Sequence, residues 1–329
     1  MLFTTARFAL ASLLLAVFSA AEAGPLLDAI KARRAEHESS RQESEFQENE
    51  SGSPSRGITL PAGTKLLRDI AYGNDPKQRM DVYLPAQTAG APVIFMVHGG
   101  AWRTGDKAMS RVVQNKLLRW VARGFVFVSV NYRLLPKADP LTQANDVARA
   151  LATAQAKAAS WGADPTRFIL MGHSAGAHLI DLLAADPDKA LKLGAQRWLG
   201  AVSLDTAAMD IVRTMQAKHY AFYDKAFGQD PAYWQAASPM HQLKSGAAPF
   251  LLVCSSTRPD APCTQASAFA DKASAQGVRA EVLPQALQHS QINELLGTPG
   301  AYTGAVEAFM ASLDPEVMQR LANSGTIKY

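Results

Sequence analysis

Apolar runs that alternate with helical patterns constrain the fold of this chain more than any other feature. A strand buried on both faces is apolar throughout, whereas a strand with one wet face alternates apolar and polar residues. Six apolar runs occur with helical patterns between them, so we expect a mostly parallel sheet. The runs are Ala91–Gly100, Gly124–Leu134, Arg167–Ser174, Leu199–Asp205, Ala248–Ser256 and Val278–Pro284, and the helical patterns are Asn115–Ala122, Leu141–Trp161, Ala175–Ala185, Cys263–Gln276 and Tyr302–Leu313.

Two departures from the alternation complete the predicted α/β fold. Lys65–Gly73 and Arg79–Pro85 read as two strands joined by a turn at Gly73–Pro76, so the sheet should begin with an antiparallel hairpin. Between 205 and 248 no further strand occurs, and aromatic residues are frequent. We interpret 205–248 as a small cap insertion over the carboxyl edge of the sheet, where ligands bind in open α/β sheets.

The N-terminal 56 residues have a different character from the rest. Arg7, the apolar stretch Phe8–Phe18 and the A-x-A sequence Ala21–Ala23 predict a signal peptide over 1–23. The stretch is shorter than the roughly 20 residues that cross a bilayer, although a retained anchor is the alternative interpretation. Residues 24–56 are charged and poor in apolar side chains, which predicts a disordered or partly helical tether before the folded domain at 57–329. We therefore expect an exported protein, periplasmic or secreted.

Composition narrows the range of functions. The chain is 48% hydrophobic, enough for a substantial core, and its net charge of +4 comes without a local block of Lys or Arg. Nucleic acid and membrane surfaces are therefore not expected partners. The motifs that hold zinc, a nucleotide phosphate or a dinucleotide are missing from the sequence, so we predict no metal and no cofactor. The sequence indicates no oligomeric state.

Gly172-His173-Ser174-Ala175-Gly176 places a serine between an apolar run and a helical pattern. In a sharp turn from strand to helix, G-x-S-x-G lifts the serine hydroxyl above the sheet, and the two glycines relieve the steric clash. Ser174 is therefore a candidate nucleophile. The N–H of Ala175 is a candidate oxyanion donor. The alternative is a structural serine in a glycine-bounded turn.

His98-Gly99-Gly100-Ala101-Trp102 follows the third strand, and loops at this position supply the other oxyanion donors. The N–H groups of Gly100 and Ala101 are our candidates, with Gly99 as a further one. We expect His98 to brace the loop. Trp102 either walls the pocket or belongs to the core.

A serine nucleophile requires a base and an acid, which in this chain order follow the serine as Asp or Glu and then His. His289 follows the last predicted strand on a loop and is the candidate base, in preference to His178, His219 and His241. Asp260 follows the preceding strand and is the candidate acid, with Asp205 as the alternative.

The two cysteines of the chain, Cys254 and Cys263, flank the candidate acid Asp260. A pair so close in sequence forms a disulfide readily in an oxidising compartment, and such a bond would close a short loop around Asp260. Two free, buried thiols are the alternative.

These motifs together resemble the α/β-hydrolase superfamily, and within it the carboxylesterases with an HGG-x-W loop, which are related to hormone-sensitive-lipase-like esterases and to arylformamidases. The loop here reads HGGAW where the lipase-like branch has HGGGF. The resemblance implies an α/β-hydrolase fold, with helices on both faces of the sheet, and a Ser174, Asp260 and His289 triad. It is carried by His98–Trp102, Asn131–Arg133, Asp164–Pro165, Gly172–Leu179, Asp260 and His289.

The sequence therefore predicts a serine hydrolase that cleaves small carboxylic esters through an acyl-enzyme. An amide hydrolase, similar to arylformamidases or peptidases, is the first alternative, because the same triad serves both leaving groups. A binding protein that retained the fold without catalysis is the second.

Overall fold

A computed structural model describes residues 57–322 and, before them, Arg33 alone, which is helical. The predicted signal peptide (1–23) lies outside the described residues, as do the rest of the predicted tether (24–56) and positions 323–329. Among the described residues, no helix combines the length and the apolar character that crossing a membrane requires.

Eight strands form one sheet in the order β1-β2-β4-β3-β5-β6-β7-β8. β2 pairs antiparallel with both β1 and β4, and every other neighbouring pair is parallel. The predicted mostly parallel sheet with an antiparallel start is therefore confirmed. The strands are β1 (Lys65–Ala71), β2 (Arg79–Leu84), β3 (Ala91–Val97), β4 (Val126–Val130), β5 (Ala163–His173), β6 (Gly200–Leu204), β7 (Phe250–Ser255) and β8 (Ala280–Gln285).

Helices cover both faces of the sheet and occupy most of the positions that the sequence predicts. Four short helices, α5 to α8, lie between β6 and β7 in the predicted cap region. Outside the cap region, three helices, α4, α10 and α12, fall where the sequence analysis placed none. The helices are α1 (Ser110–Trp120), α2 (Pro140–Ala158), α3 (Ala175–Ala185), α4 (Asp188–Leu191), α5 (Ile211–Gln216), α6 (Ala221–Phe227), α7 (Pro231–Ala236), α8 (Pro239–Gln242), α9 (Pro262–Ala275), α10 (His289–Glu294), α11 (Ala301–Ala311) and α12 (Pro315–Ala322).

The continuous apolar strands build two core layers, one on each face. Every residue of β3 is buried, and its alternate side chains enter opposite layers. Phe95 packs in the layer that holds Leu151 of α2, whereas Ile94 packs in the layer that holds Leu117 of α1. Burying a Leu, Ile or Phe side chain stabilises a fold by about 1.5–3 kcal/mol, so the strand runs contribute to both layers.

The carboxyl ends of the parallel strands bring the candidate residues to one edge of the sheet. The HGGAW loop follows β3, Ser174 follows β5, and Asp205 follows β6. Residues 256–261 follow β7, and His289 follows β8. This arrangement explains why residues almost two hundred positions apart can form one site.

Candidate active site

Ser174 occupies a strained turn between β5 and α3. Its φ of 56° and ψ of −120° lie in a region that L-residues rarely adopt. A Cβ on Gly172 would lie 2.5 Å from the Gly176 carbonyl oxygen, and one on Gly176 would lie 2.3 Å from the Val97 oxygen. Only glycine fits at both positions, as the G-x-S-x-G pattern predicts.

The loop after β3 turns through three successive residues with positive φ. These are Gly100 (122°), Ala101 (48°) and Trp102 (59°). A Cβ on Gly100 would lie 2.2 Å from the Thr104 carbonyl oxygen, so this position also requires glycine. Ala101 and Ala175 line the same pocket as Ser174, so two of the three predicted oxyanion donors lie beside the candidate nucleophile.

His98 and Tyr132 hold that loop in place. The Tyr132 hydroxyl donates to the His98 carbonyl oxygen over 2.9 Å, and the two rings stack with centroids 4.6 Å apart. His98 Nδ1 lies 2.7 Å from the Gly99 carbonyl oxygen and therefore donates to it. The predicted bracing role of His98 agrees with these contacts.

His289 begins the short helix α10, where the sequence analysis expected a loop. Gln288 and Gln291 form a capping box, which starts the helix at this residue. His289 Nδ1 lies 2.6 Å from Asp205 Oδ2. Because a carboxylate only accepts hydrogen bonds, Nδ1 carries the hydrogen, and Nε2 is the basic nitrogen of the neutral ring.

The structure corrects the predicted acid, because Asp205 and not Asp260 contacts His289. Asp205 follows β6, accepts the Ser255 N–H at Oδ1 over 2.7 Å, and holds His289 through Oδ2. Asp260 instead accepts from Arg258, through Nε over 2.9 Å and through Nη2. Arg258 lies between the two carboxylates, so Asp260 pairs with Arg258 and not with His289.

Arg258 is the functional side chain that the sequence analysis missed. Its Nη1 donates to Asp205 Oδ2 over 2.9 Å and to the Asp205 carbonyl oxygen over 3.1 Å. A polar side chain just after a parallel strand, two residues before an acid, was the available signal. Only the folded loop reveals that it reaches back to the neighbouring strand end.

The charges at Asp205 favour its carboxylate form. Burial alone would raise the pKa of Asp205, but the Arg258 charge and the hydrogen bonds from His289 and Ser255 outweigh it. The pKa of Asp205 is therefore held well below its usual range. Arg258 keeps its charge, because Asp205 and Asp260 overcome the effect of its own burial and raise its pKa.

His178 is committed elsewhere, in agreement with its exclusion as the base. Its Nε2 donates to the Ala237 carbonyl oxygen over 2.7 Å, and its Nδ1 accepts from Trp102 Nε1 over 3.2 Å. Burial lowers the pKa of His178 to about 4. His219 and His241 pair with Asp224 and Asp210 in the cap region.

The pocket beside Ser174 is narrow and has an aromatic wall. Trp102 supplies part of that wall and packs against Phe227 with ring centroids 4.9 Å apart. Trp102 is thus both pocket wall and core. The lining residues are Ala101, Trp102, Ser174, Ala175, Asp205, Thr206, Ala207, Phe222, Tyr223 and Arg258.

Cys254 and Cys263 lie at disulfide distance, with their sulfur atoms 2.06 Å apart. The loop between them carries Ser255, Arg258 and Asp260, of which the first two contact Asp205. No group of three or more His, Cys, Asp or Glu side chains in the described part of the chain could hold a metal ion.

Comparison with known proteins gives consistent matches. A model of the BD-FAE family matches residues 80–273, more than half of the chain. Esterase LipC of Mycobacterium tuberculosis (strain ATCC 25618 / H37Rv) is 30% identical over 220 residues, which cover 62% of this chain and 54% of LipC. The probable carboxylic ester hydrolase LipM of the same organism is 32% identical over 270 residues, which cover 74% of this chain and 61% of LipM. The chain thus spans less than two thirds of either relative.

Among solved structures, the truncated form of a carbohydrate esterase from gut microbiota superposes with a TM-score of 0.66. The two chains are 16% identical, and the match covers 78% of this chain and 99% of that one. At this identity the likeness establishes the α/β-hydrolase fold alone.

Proposed function

The chain belongs to the BD-FAE family, and on the geometry of its site we propose that it is a carboxylic ester hydrolase with a Ser174–His289–Asp205 triad. One observation carries the proposal. Ser174, in its strained turn, shares a pocket with Asp205, whose carboxylate accepts the His289 Nδ1–H. The names of LipC and LipM support ester hydrolysis as the activity.

In the acylation step, His289 Nε2 takes the proton of the Ser174 hydroxyl while Oγ attacks the ester carbonyl carbon. The carbonyl oxygen becomes an oxyanion and accepts from the N–H groups of Ala175 and of Ala101 or Gly100. The tetrahedral intermediate then collapses, and His289 Nε2–H protonates the departing alcohol. Each oxyanion donor of this kind contributes about 100- to 1000-fold in rate.

In the deacylation step, His289 Nε2 takes a proton from water, which attacks the acyl carbon. The second tetrahedral intermediate uses the same oxyanion donors, and His289 returns the proton to Ser174 Oγ as the acid leaves. Asp205 stays ionised throughout, because Arg258, Ser255 and His289 all stabilise its carboxylate.

The pocket suits a compact acyl group. Little open space remains beside Ser174 between the aromatic side chains of Trp102, Phe222 and Tyr223, so a short acyl chain fits this pocket better than a long one. We therefore propose small-molecule esters with short acyl chains as substrates.

The test compares Ser174→Ala with wild type on p-nitrophenyl acetate and with a fluorophosphonate probe. We expect loss of turnover and of labelling in Ser174→Ala, and retention of both in Ser160→Ala, whose exposed hydroxyl donates to the Lys157 carbonyl oxygen near the end of α2. Turnover near the wild-type rate in Ser174→Ala would falsify the assignment. Absence of labelling in the wild type would favour a binding protein, and faster cleavage of an aryl formamide or anilide than of esters would favour an amide hydrolase.

We also propose that the protein is exported. Support comes from Arg7, the apolar stretch Phe8–Phe18 and the A-x-A sequence Ala21–Ala23. Cys254 and Cys263 are also close enough in the sequence to form a disulfide, a bond that persists in oxidising compartments. Cell fractionation should place a chain that begins at Gly24 outside the cytoplasm, and a cytoplasmic chain that begins at Met1 would contradict the proposal.

A further inference from the structure

A buried cation contacts the carboxylate of the proposed catalytic acid. The Arg258 side chain is only 10% exposed and lies between two carboxylates, fully buried Asp205 and partly exposed Asp260. Asp260 binds the Nε and Nη2 side of the guanidinium, which leaves Nη1 directed at Asp205. A two-point contact of this kind fixes the plane of the arginine fork.

Arg258 also lies directly beside the proposed base. Its Nη1 is 2.9 Å from His289 Nδ1. Both nitrogens carry hydrogens and both donate to Asp205 Oδ2, so they converge on one acceptor and do not bond each other. A fixed positive charge at this distance opposes the protonation of the imidazole, whereas Asp205 favours it.

Asp205, Arg258 and Asp260 are the acidic and basic side chains of this cluster, and His173 is a further titratable group whose ring packs against that of His289. His173 Nε2 donates to the His289 carbonyl oxygen over 3.0 Å. Burial raises the pKa of the nearby tyrosines, so these stay neutral. Along α10 and α1, Glu294 faces Arg111 at 3.9 Å and Lys116 binds Asn293. The groups that face the cluster are Asp205, Arg258, Asp260, His173, Tyr220, Tyr223 and Tyr302.

We propose that Arg258, held in plane by Asp260, is a positioning residue that fixes the Asp205 carboxylate and keeps His289 unprotonated in the resting enzyme. The proposal rests on the proposed triad. Its consequence is that Arg258 and its partner Asp260 have opposite effects on the acid limb of the kcat/KM–pH profile. The acid limb is the part of the profile where kcat/KM falls as His289 becomes protonated. Arg258 moves this limb to lower pH, and Asp260 moves it to higher pH by partly offsetting the arginine charge.

The loop between Cys254 and Cys263 supplies most of the contacts that position Arg258 and Asp205. The same short segment supplies Arg258, its partner Asp260, and the Ser255 N–H that bonds the other oxygen of Asp205. Both carboxylate oxygens of Asp205 therefore accept hydrogen bonds from this one loop, and Oδ2 also accepts one from His289.

The experiment measures kcat and kcat/KM for p-nitrophenyl acetate between pH 4.5 and 9 in wild type and four variants. In Arg258→Met we expect kcat to fall on the order of 10- to 100-fold and the acid limb to move up by about one pH unit. In Asp260→Asn we expect the limb to move down, with a smaller loss of kcat. Arg258→Lys keeps the positive charge but lacks the planar guanidinium. Compared with Arg258→Met, it should therefore restore the pH of the acid limb more fully than it restores kcat.

Arg279→Met is the matched control. Arg279 also binds an acid two residues further along, Glu281, but its exposed side chain directly precedes β8, at the end of that strand opposite to the site. Its profile should equal that of the wild type.

Three results separate this inference from the proposed function. Turnover in Ser174→Ala overturns the triad itself. If Ser174→Ala is inactive, two outcomes overturn only the role of Arg258. Either the acid limb stays unmoved in Arg258→Met and Asp260→Asn, or it moves in the same direction in both variants. Where Arg258→Met fails to fold by circular dichroism, the direction of the Asp260→Asn shift alone decides, and an upward or absent shift overturns the proposal.

Discussion

Backbone strain in this chain is concentrated at single residues of the site. Ser174, Ala101, Trp102 and Asp205 all have φ between 48° and 59°. Such conformations cost about 1–3 kcal/mol each and persist only where the surroundings over-determine them. Here the surroundings are buried strand ends and glycine-only turns. Asp69 and Ala261 have similar φ values outside the pocket, so the strain supports a functional role where the geometry of the site does so too.

Asp205→Asn should inactivate the enzyme while Asp260→Asn should not. An amide at Asp205 can donate to His289 and so favours the wrong tautomer of the ring, which lowers kcat by about 10⁴-fold in an enzyme with such a triad. Steady-state kinetics on p-nitrophenyl acetate checks this. A larger loss in Asp260→Asn than in Asp205→Asn would return the acid role to Asp260.

Chain order predicted Ser174 and His289 of the proposed triad, but it favoured Asp260 over Asp205 as the acid, and this choice was wrong. Ser174 and His289 each had a strong local context, the glycine-bounded turn and the loop after the last strand. Asp205 and Asp260 both follow parallel strands, so both reach the same edge of the sheet. The choice between them depends on how residues 256–261 fold, where Arg258 takes Asp260 as its partner, and no sequence periodicity reports this.

At the scale of elements, the strands were more predictable than the short helices. Six strands, β3 to β8, were predicted from apolar runs, which burial of a strand on both faces favours, and β1 and β2 were predicted as a hairpin from the turn residues between them. The six-residue helix α10 has no such pattern and depends on the capping box of Gln288 and Gln291 and on packing. Because a capping box is read from Ser, Thr, Asp or Asn at its first position, Gln288 gave no sequence signal for the start of this helix.

The helix α6 should control the length of the acyl chain, because it carries the pocket residues Phe222 and Tyr223. In Phe222→Ala we expect kcat/KM for p-nitrophenyl hexanoate to rise relative to the acetate by about tenfold, with a loss of stability of about 3 kcal/mol from the truncated ring. Tyr233→Phe on α7 is the control, since the Tyr233 hydroxyl contacts Asp139 outside this pocket. An unchanged ratio in Phe222→Ala would contradict the assignment of the acyl pocket.

The loop between Cys254 and Cys263 should depend on its disulfide for stability. Closing a loop of this length contributes about 2–3 kcal/mol, so a Cys254→Ser/Cys263→Ser variant should unfold at correspondingly lower denaturant concentration. Because the chain has only these two cysteines, dithiothreitol should destabilise the wild type and leave the double variant unchanged. A reductant effect on the double variant, or none on the wild type, would contradict this prediction.

At the scale of the whole molecule, a buried acid that lies outside the proposed site makes the free energy of unfolding depend on pH. Asp181 on α3 is fully buried, and Ser203 Oγ on β6 lies 2.6 Å from its Oδ2. Burial raises the pKa of Asp181 to about 8, against a partial opposing effect of the Ser203 hydrogen bond. The folded protein therefore binds a proton at neutral pH that the unfolded chain releases.

The sign of the resulting pH dependence follows from that difference. Below about pH 4 the carboxyl is protonated in both states, and between there and pH 8 only the folded state keeps the proton. The contribution of Asp181 to the free energy of unfolding therefore falls as pH rises through this window, by about 1.4 kcal/mol per unit. His178, with a pKa lowered to about 4, acts in the opposite direction below pH 6.5, so the wild-type curve alone does not isolate Asp181.

Asp181→Asn isolates it, because asparagine does not titrate. We expect the unfolding free energy of Asp181→Asn minus that of wild type to rise steadily between pH 5 and 8, measured by urea denaturation at each pH. Asp188→Asn is the matched control, since the exposed Asp188 carboxyl has a lowered pKa and its difference curve should be flat over the same range. A flat curve for Asp181→Asn would mean that Asp181 ionises normally in the folded state, and that water or a local rearrangement solvates it beneath α3.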